Sequence, residues 1–475
     1  MNISDQLVKR VIEDVLAGMG KRPKPVEKIA SATSGGHDGV FTDVSAAVAA
    51  AKAAQARFER MGTAERAKAV DVIRTICREQ AEPLGREEFL ETRIGRLDHK
   101  IEKLKIAADR IPGVEFLKTD AFSGGQGVSL QEFAPFGVVG IITPVTHSLP
   151  TLAGNAINLL ASGNAFVCNP HPSGAKIACK GVQLFNRGIA QAIGVENLLT
   201  IIAEPTLDSA QAIFDHRDVK LLCVTGGPAV ARAALRSNKR AIVAGPGNPP
   251  VVVDETADLD NAARSIIQGA AYDNNLLCIG EKEVFAVAAI FDELLAAMRH
   301  AGAVQLDRNQ VAALTQAAFI TGEGGKLMLN KDLVGKDPAE LAKAAGFALP
   351  QRTELLFGET DEANPFVDHE QMMPFVPFVR VPDVATAIAL AKKYEHGFKH
   401  TAILHSRNLD TVAWMARELD TTLFAVNGPC TAALGSGGEG YMSFSIATPT
   451  GEGVTTPLTF TRQRRLTLAN GLRIL

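Results

Sequence analysis

Between Gly137 and Ala244 the sequence switches repeatedly between short apolar runs and longer helical stretches, and few folds accommodate that rhythm. The apolar runs are residues 138–142, 165–168, 198–202, 219–224 and 241–244. Helical spacing fills residues 149–162, 173–193, 206–214 and 229–237 between them. Strand, crossover helix and next strand in this order predict an α/β fold, a parallel sheet with helices on both faces. Such sheets bind ligands beyond the carboxyl ends of their strands. The stretch Gly245-Pro246-Gly247-Asn248-Pro249-Pro250 breaks the pattern and reads as a domain crossing. A second alternating region follows, with strands at 251–253, 375–381, 401–405 and 423–426 and helices at 259–271, 384–393 and 409–419, and residues 457–464 read as a final strand. At 475 residues the chain is long for one core, so two large domains are the natural expectation. Residues 42–110, ahead of both, read as helical, starting from a cap at Thr42 or Asp43.

Composition narrows the function classes. A net charge of −3 gives no electrostatic reason to expect nucleic acid or an anionic membrane. No apolar run reaches the length of a membrane span, and the first residues lack the pattern of a secretory signal. The six cysteines, 77, 168, 179, 223, 278 and 430, show neither C-x-x-C nor paired spacing. That argues against a disulfide framework and against a metal site, and for a reducing compartment where a free thiol survives.

The first residues form a separate unit. Ile3, Leu7, Val8, Val11, Ile12, Val15 and Leu16 recur at helical spacing, so residues 1–17 read as a short amphipathic helix. Residues 18–39 are a Gly-, Pro- and Ser-containing linker with little to bury. So short a helix needs a surface to dock on. That surface is either its own globular body or a partner groove, and the linker favours the partner.

Two stretches carry chemistry. Cys278 closes Tyr272-Asp273-Asn274-Asn275-Leu276-Leu277 and precedes Ile279-Gly280-Glu281-Lys282 and an apolar run at 283–289. Amides upstream, a glycine downstream and an element boundary with unpaired N–H groups suit a reactive thiol. A buried structural cysteine fits the same local pattern. At 221–228, an apolar run enters Thr225-Gly226-Gly227-Pro228 and a helix follows. Its N-terminus favours a phosphate, but there is no G-x-G-x-x-G, and many such turns are only structural.

Taken together, the motifs resemble the CoA-acylating branch of the aldehyde dehydrogenase superfamily, of the type packaged in bacterial microcompartments. The resemblance covers nearly the whole chain. It rests on Ile142-Thr143-Pro144, Asn169-Pro170-His171-Pro172, Val224-Thr225-Gly226-Gly227, the 244–250 crossing, residues 251–258, Asp273 to Cys278 with Glu281-Lys282, and Glu370-Gln371-Met372-Met373-Pro374. Asn427-Gly428-Pro429, Gly437-Gly438-Glu439-Gly440 and residues 447–453 complete it. It implies two Rossmann-like parallel-sheet domains with a small oligomerisation hairpin, behind the tethered helix. An NAD-binding domain spans 40–248, with residues 120–135 in the oligomerisation arm. A catalytic domain spans 249–435, and 436–475 carry an oligomerisation strand.

The likeness makes Cys278 the nucleophile, with Asn275 beside it. His147 stands where relatives carry an asparagine that helps the oxyanion. Thr143, Pro144, Asn169, His171, Thr225, Gly226 and Gly227 line the coenzyme, although His171 by its own chemistry is a packed turn residue. Glu370 holds the nicotinamide ribose. The coenzyme is NAD, with NADP open because Asn169 replaces a lysine common in hydrolytic relatives. Those relatives place a glutamate general base in E-L-G-G-K, where this chain has Ala244-Gly245-Pro246-Gly247-Asn248. Alanine takes no proton, so water is a poor acceptor and a coenzyme A thiol a better one.

The implied reaction is oxidation of a short aldehyde (acetaldehyde, propionaldehyde or lactaldehyde) to acyl-CoA, or its reverse. The alternatives are a hydrolytic dehydrogenase giving free acid, against which Ala244 speaks, and a non-catalytic cargo scaffold. The implied partners are a microcompartment shell or cargo through residues 1–17, and further copies of the chain in a dimer or tetramer. The implied location is a microcompartment in the bacterial cytoplasm.

Overall fold

The computed structural model describes residues 37–322, 325, 327–350 and 352–472. The expected helix at 1–17 and most of the linker at 18–39 lie outside these residues. After β1 (Val40–Phe41) come four helices, α1 (Val44–Phe58), α2 (Thr63–Glu79), α3 (Ala81–Thr92) and α4 (Leu97–Arg110). Asp43 caps α1 by accepting from Ala46 N, as expected of an aspartate ahead of an alanine-rich run. A ribbon, β2 (Asp120–Gly124) and β3 (Gly127–Pro135), follows.

The first alternating region folds as β4 (Val138–Thr143), α5 (Ser148–Ala161), β5 (Ala165–Pro170), α6 (Ala175–Ile193), β6 (Leu199–Ile202), α7 (Leu207–Asp215), β7 (Val219–Thr225), α8 (Pro228–Arg236) and β8 (Ala241–Ala244). The six strands are parallel, in the order β1-β6-β5-β4-β7-β8. Helices cover both faces, so Val139, Ile141, Phe166, Val167, Leu222 and Val224 are buried whichever way they point. That is why these strands read as unbroken apolar runs rather than as alternations. Each such side chain contributes about 1.5–3 kcal/mol by leaving water. Strand order reverses between β4 and β7, and this switch point, where such sheets bind ligands, lies at the strand ends Thr143 and Thr225.

Residues 245–249 cross from the carboxyl end of β8 to the amino end of β9 (Pro250–Val253). The second sheet adds β10 (Glu283–Val287), β11 (Val304–Gln305), β14 (Leu356–Thr360), β15 (Phe375–Val381), β16 (Thr401–His405) and β17 (Leu423–Val426). It too is parallel, in the order β11-β14-β15-β10-β9-β16-β17. The helix α9 (Leu259–Ala270) leads into the Cys278 loop, which runs into β10. The strands β11 and β14, with the hairpin β12 (Phe319–Thr321) and β13 (Leu327–Leu329), occupy a region that the sequence pattern left blank.

The tail carries a small hairpin, β18 (Ile446–Ala447) and β19 (Gly453–Val454), and then β20 (Thr461–Ala469), antiparallel to β3. The strand expected at 457–464 therefore starts late. Residues Pro457–Phe460 form a 3-10 turn, because Pro457 has no N–H for a ladder and Thr456 and Thr459 cap one another.

Candidate active site

The turn ahead of Cys278 is held in an unusual backbone. Asp273, Asn274 and Asn275 have φ of 50°, 56° and 61°, three consecutive left-handed residues, none of them glycine. Left-handed backbone costs about 1–2 kcal/mol per residue, least for Asp and Asn. Buried side-chain bonds offset it. Asn274 Nδ2 donates to Asp337 Oδ1 at 2.8 Å and to Gly335 O at 3.1 Å. Asn275 Nδ2 donates to Glu281 O at 3.0 Å, and its Oδ1 accepts from Lys282 Nζ at 2.5 Å. Asp273 accepts from Arg96 N at 2.8 Å and bonds the ammonium of Lys103. Its N–H donates to His99 Nδ1 at 2.8 Å, and that ring stacks on Tyr272.

This turn delivers the half-buried Cys278 to the crossing segment. A Cβ on Gly247 would lie 2.3 Å from the Cys278 carbonyl oxygen and 3.1 Å from the His400 ring. Only glycine lets the two segments pass so closely. Burial pushes the Cys278 thiol up to about 12, and the carboxylate of Glu370 pushes the same way. Lys282 and the N–H groups of Cys278 and Ile279 oppose them. The half-buried Glu370 is itself raised to about 7 by burial, against the pull of Lys282 and the Gly247 N–H.

His400 was not singled out in the sequence, where a lone histidine ahead of a strand carries no signal. It is buried, and its Nδ1 pairs with Thr401 Oγ1 at 2.8 Å. Its Nε2 has no hydrogen-bond partner. Burial, helped by Lys282, brings its pKa down to about 4, so the ring is neutral at physiological pH. Ala244 presents only a methyl group, paired in register with Thr225; Glu370 acts on the thiol, and the His400 ring packs beside Gly247 where that residue passes the Cys278 carbonyl.

His147 precedes α5, whose first N–H groups it does not cap. Glu88 of α3 does so instead, accepting from Ser148 N at 3.0 Å and Leu149 N at 3.4 Å. Lys100 Nζ donates to Thr146 O at 2.5 Å and lies 3.6 Å from Glu88 and 3.5 Å from Asp273. Glu88, Lys100, Lys103 and Asp273 are all inaccessible to water. This network ties the His147 loop to the nucleophile turn. Burial and the positive charges of Lys103 and Lys100 hold His147 well below its usual pKa, so the ring is neutral. The sequence did carry a signal: Lys100 and Lys103 share the buried face of α4 with Leu104, Ala107 and Ala108.

The residues expected to line a coenzyme gather at the switch point. Thr143 ends β4, Pro144 follows it, and Thr143 O accepts from His171 N at 3.0 Å. His171 spends Nδ1 on Ser173 N at 3.1 Å, the behaviour of a turn residue. The Asn169 amide is engaged as well, donating to Thr206 O at 3.3 Å and accepting from Ser209 Oγ at 2.6 Å. Thr225 Oγ1 lies 2.8 Å from Ser445 Oγ. Beyond it no side chain caps α8, and Gly227 has open space where a Cβ would stand. The uncapped N–H groups, the bare backbone and the half-buried Glu370 fit an anionic, ribose-bearing coenzyme. Among the described residues no group of three or more His, Cys, Asp or Glu is placed to hold a metal ion.

Comparison with known proteins agrees with this architecture. The aldehyde dehydrogenase family model matches residues 22–443. The acetaldehyde dehydrogenase (acetylating) EutE of Escherichia coli is 43% identical, over 99% of this chain and 100% of that protein. A propionaldehyde dehydrogenase from the Clostridium phytofermentans fucose utilisation bacterial microcompartment superposes with a TM-score of 0.89 at 41% identity, covering 92% of this chain and 100% of that one. A Rhodopseudomonas palustris propionaldehyde dehydrogenase, solved with bound propionyl-CoA, gives a TM-score of 0.88 at 39% identity, covering 93% and 98%.

Proposed function

The chain belongs to the aldehyde dehydrogenase family, and from that premise we propose that it is a CoA-acylating aldehyde dehydrogenase acting on a short aldehyde. Acetaldehyde, propionaldehyde and lactaldehyde are the candidate substrates. The observation that carries the reading is the Cys278 turn, strained and braced beside Lys282 and His400, with a methyl group at Ala244 in the place of the hydrolytic base.

The Cys278 thiolate adds to the aldehyde carbon, forming a C–S bond and placing the carbonyl electrons on oxygen. That oxyanion is met by backbone N–H groups of the loop and by the neutral His147 ring. Its collapse expels hydride, for which the bound nicotinamide coenzyme supplies the acceptor. Glu370 would hold the nicotinamide ribose. Thr225, Gly226, Gly227 and the start of α8 would hold the phosphates, with Thr143, Pro144, Asn169 and His171 completing the wall. Asn275 acts as a brace for the turn through its two buried bonds.

The acyl group now on Cys278 passes to coenzyme A. His400 Nε2 takes the thiol proton, the new sulfur–carbon bond forms, and the Cys278 sulfur leaves as thiolate. The same groups run the reverse reaction. Microcompartment relatives support location in such a body, with residues 1–17 as the docking helix. The exposed face of β20 supports association of copies into a dimer or tetramer. NADH formation across short aldehydes, each with and without coenzyme A, tests the reading. Turnover that ignores coenzyme A would favour the hydrolytic alternative.

A further inference from the structure

Lys282 lies four residues after Cys278 and is inaccessible to water. Its ammonium donates to Asn275 O at 2.8 Å, to Asn275 Oδ1 at 2.5 Å and to Leu277 O at 3.1 Å. All three acceptors are neutral carbonyl oxygens of the nucleophile turn. They satisfy the hydrogens of the cation but not its charge. An unpaired buried ammonium is costly, so a nearby anion must complete the site.

The ionisable groups facing Lys282 are Glu370, Cys278, Cys430 and Glu281, with Glu283 and His400 also within its field. Glu281 is committed elsewhere: its Oε1 accepts from Cys430 N at 2.8 Å, and the carboxyl packs where Gly269 leaves room. Cys430 is buried beside that carboxyl, and Glu283 has no hydrogen-bond partner for either oxygen. Both therefore favour their neutral forms. His400 brings no negative charge. What remains is Glu370 on the coenzyme side and the thiolate of Cys278, whose turn the ammonium already grips.

We propose that Lys282 is the positioning residue and counter-cation of the nucleophile: one ammonium ties Asn275, the last left-handed residue of the turn, to Leu277 and offsets the charge of the Cys278 thiolate. When the S–H bond breaks, the proton leaves to water and the sulfur anion remains beside a fixed cation. Glu370 opposes this from the other side, so the two side chains set the thiolate population between them.

The inference rests on Cys278 as nucleophile, but its test needs neither aldehyde nor coenzyme. Alkylation of Cys278 by iodoacetamide at pH 8.5, read by peptide mass spectrometry with C278A as the blank, follows the thiolate fraction. Lys282→Gln keeps an N–H donor and removes the charge. It is expected to slow alkylation at least tenfold, and Glu370→Gln to speed it. In Lys282→Gln the rise of the alkylation rate with pH should move to higher pH, a shift that loss of a purely structural bond would not produce. Should Lys282→Gln fail to fold, the variant carrying both changes is compared with Glu370→Gln alone and should again be at least tenfold slower. Equal rates with and without the lysine charge, in whichever pair folds, overturn the proposal. A wild-type Cys278 that iodoacetamide never labels removes its premise.

Discussion

Lys103 on α4 bonds Asp273 at the start of the nucleophile turn, and neither side chain reaches water. A helix of the first domain thus grips the backbone that presents Cys278. Removing Lys103 leaves the buried Asp273 and Glu88 with only Lys100 to balance them. Lys103→Met is expected to destabilise the protein by about 3–5 kcal/mol. Lys103→Met with Asp273→Asn should recover part of that, because no charge is then left unpaired. Thermal melting of the three proteins at one pH checks the order.

Gly247 is required by distance, since a methyl group there would stand 2.3 Å from the Cys278 carbonyl oxygen. Gly247→Ala must push the nucleophile turn aside. A displacement of about 1 Å costs on the order of a hundredfold in rate. Steady-state kinetics should show kcat falling by that order while the melting temperature changes little. A kcat within twofold of wild type would show that the two segments are not held as described.

His405, at the end of β16, is buried with neither ring nitrogen bonded, and burial brings its pKa down to about 4 from 6.5. Below about pH 6.5 the unfolded chain takes up a proton there that the folded protein refuses. Folding stability from this residue is therefore intact above pH 6.5 and lost as pH falls towards 4, by up to about 3 kcal/mol. Glu281 and Glu370, raised to about 7 by burial, work in the opposite sense between pH 7 and 4.5, and His400, lowered to about 4, works in the same sense, so the wild-type curve mixes all of them. The difference between wild type and His405→Asn isolates the histidine. The variant should gain relative stability as pH drops from 6.5 to 4, measured by melting temperature against pH.

In the proposed reaction Ala244 decides how the acyl group leaves. Ala244→Glu puts a carboxylate at the end of β8, and a positioned general base contributes about 10²–10⁴-fold. The variant should release free acid where the wild type releases acyl-CoA. Chromatography of the products, at fixed aldehyde and coenzyme A, gives the ratio. An unchanged ratio would mean that position 244 does not govern access of water to the thioester.

Much of this was legible in the sequence. The apolar runs of both sheets are buried on two faces, and burial of that kind writes itself into the chain as uninterrupted Val, Ile and Leu. The crossing at 245–249 announced itself through Gly and Pro. Cys278 stood out once its neighbours were read together. The electrostatic frame was harder to see, because Asp273 lies 170 residues from Lys103 and meets it, Lys100 and Glu88 only after folding. Lysines on the apolar face of α4 were its one local trace. His400 left none, since its role depends on Gly247 passing over the Cys278 turn. The strand at 457–464 was placed four residues early because Pro457 looked like a strand opening and is the first residue of a capped turn.

The central claim is that Cys278 takes the acyl group and gives it to a second thiol. The most direct measurement incubates the protein with aldehyde and NAD, without coenzyme A, and weighs the peptide containing Cys278 before and after coenzyme A is added. An acyl mass on Cys278 that disappears on addition, with acyl-CoA formed in equal amount and neither seen in C278A, is the predicted result. An unmodified Cys278, or an acyl group that leaves only as free acid in saturating coenzyme A, would contradict it.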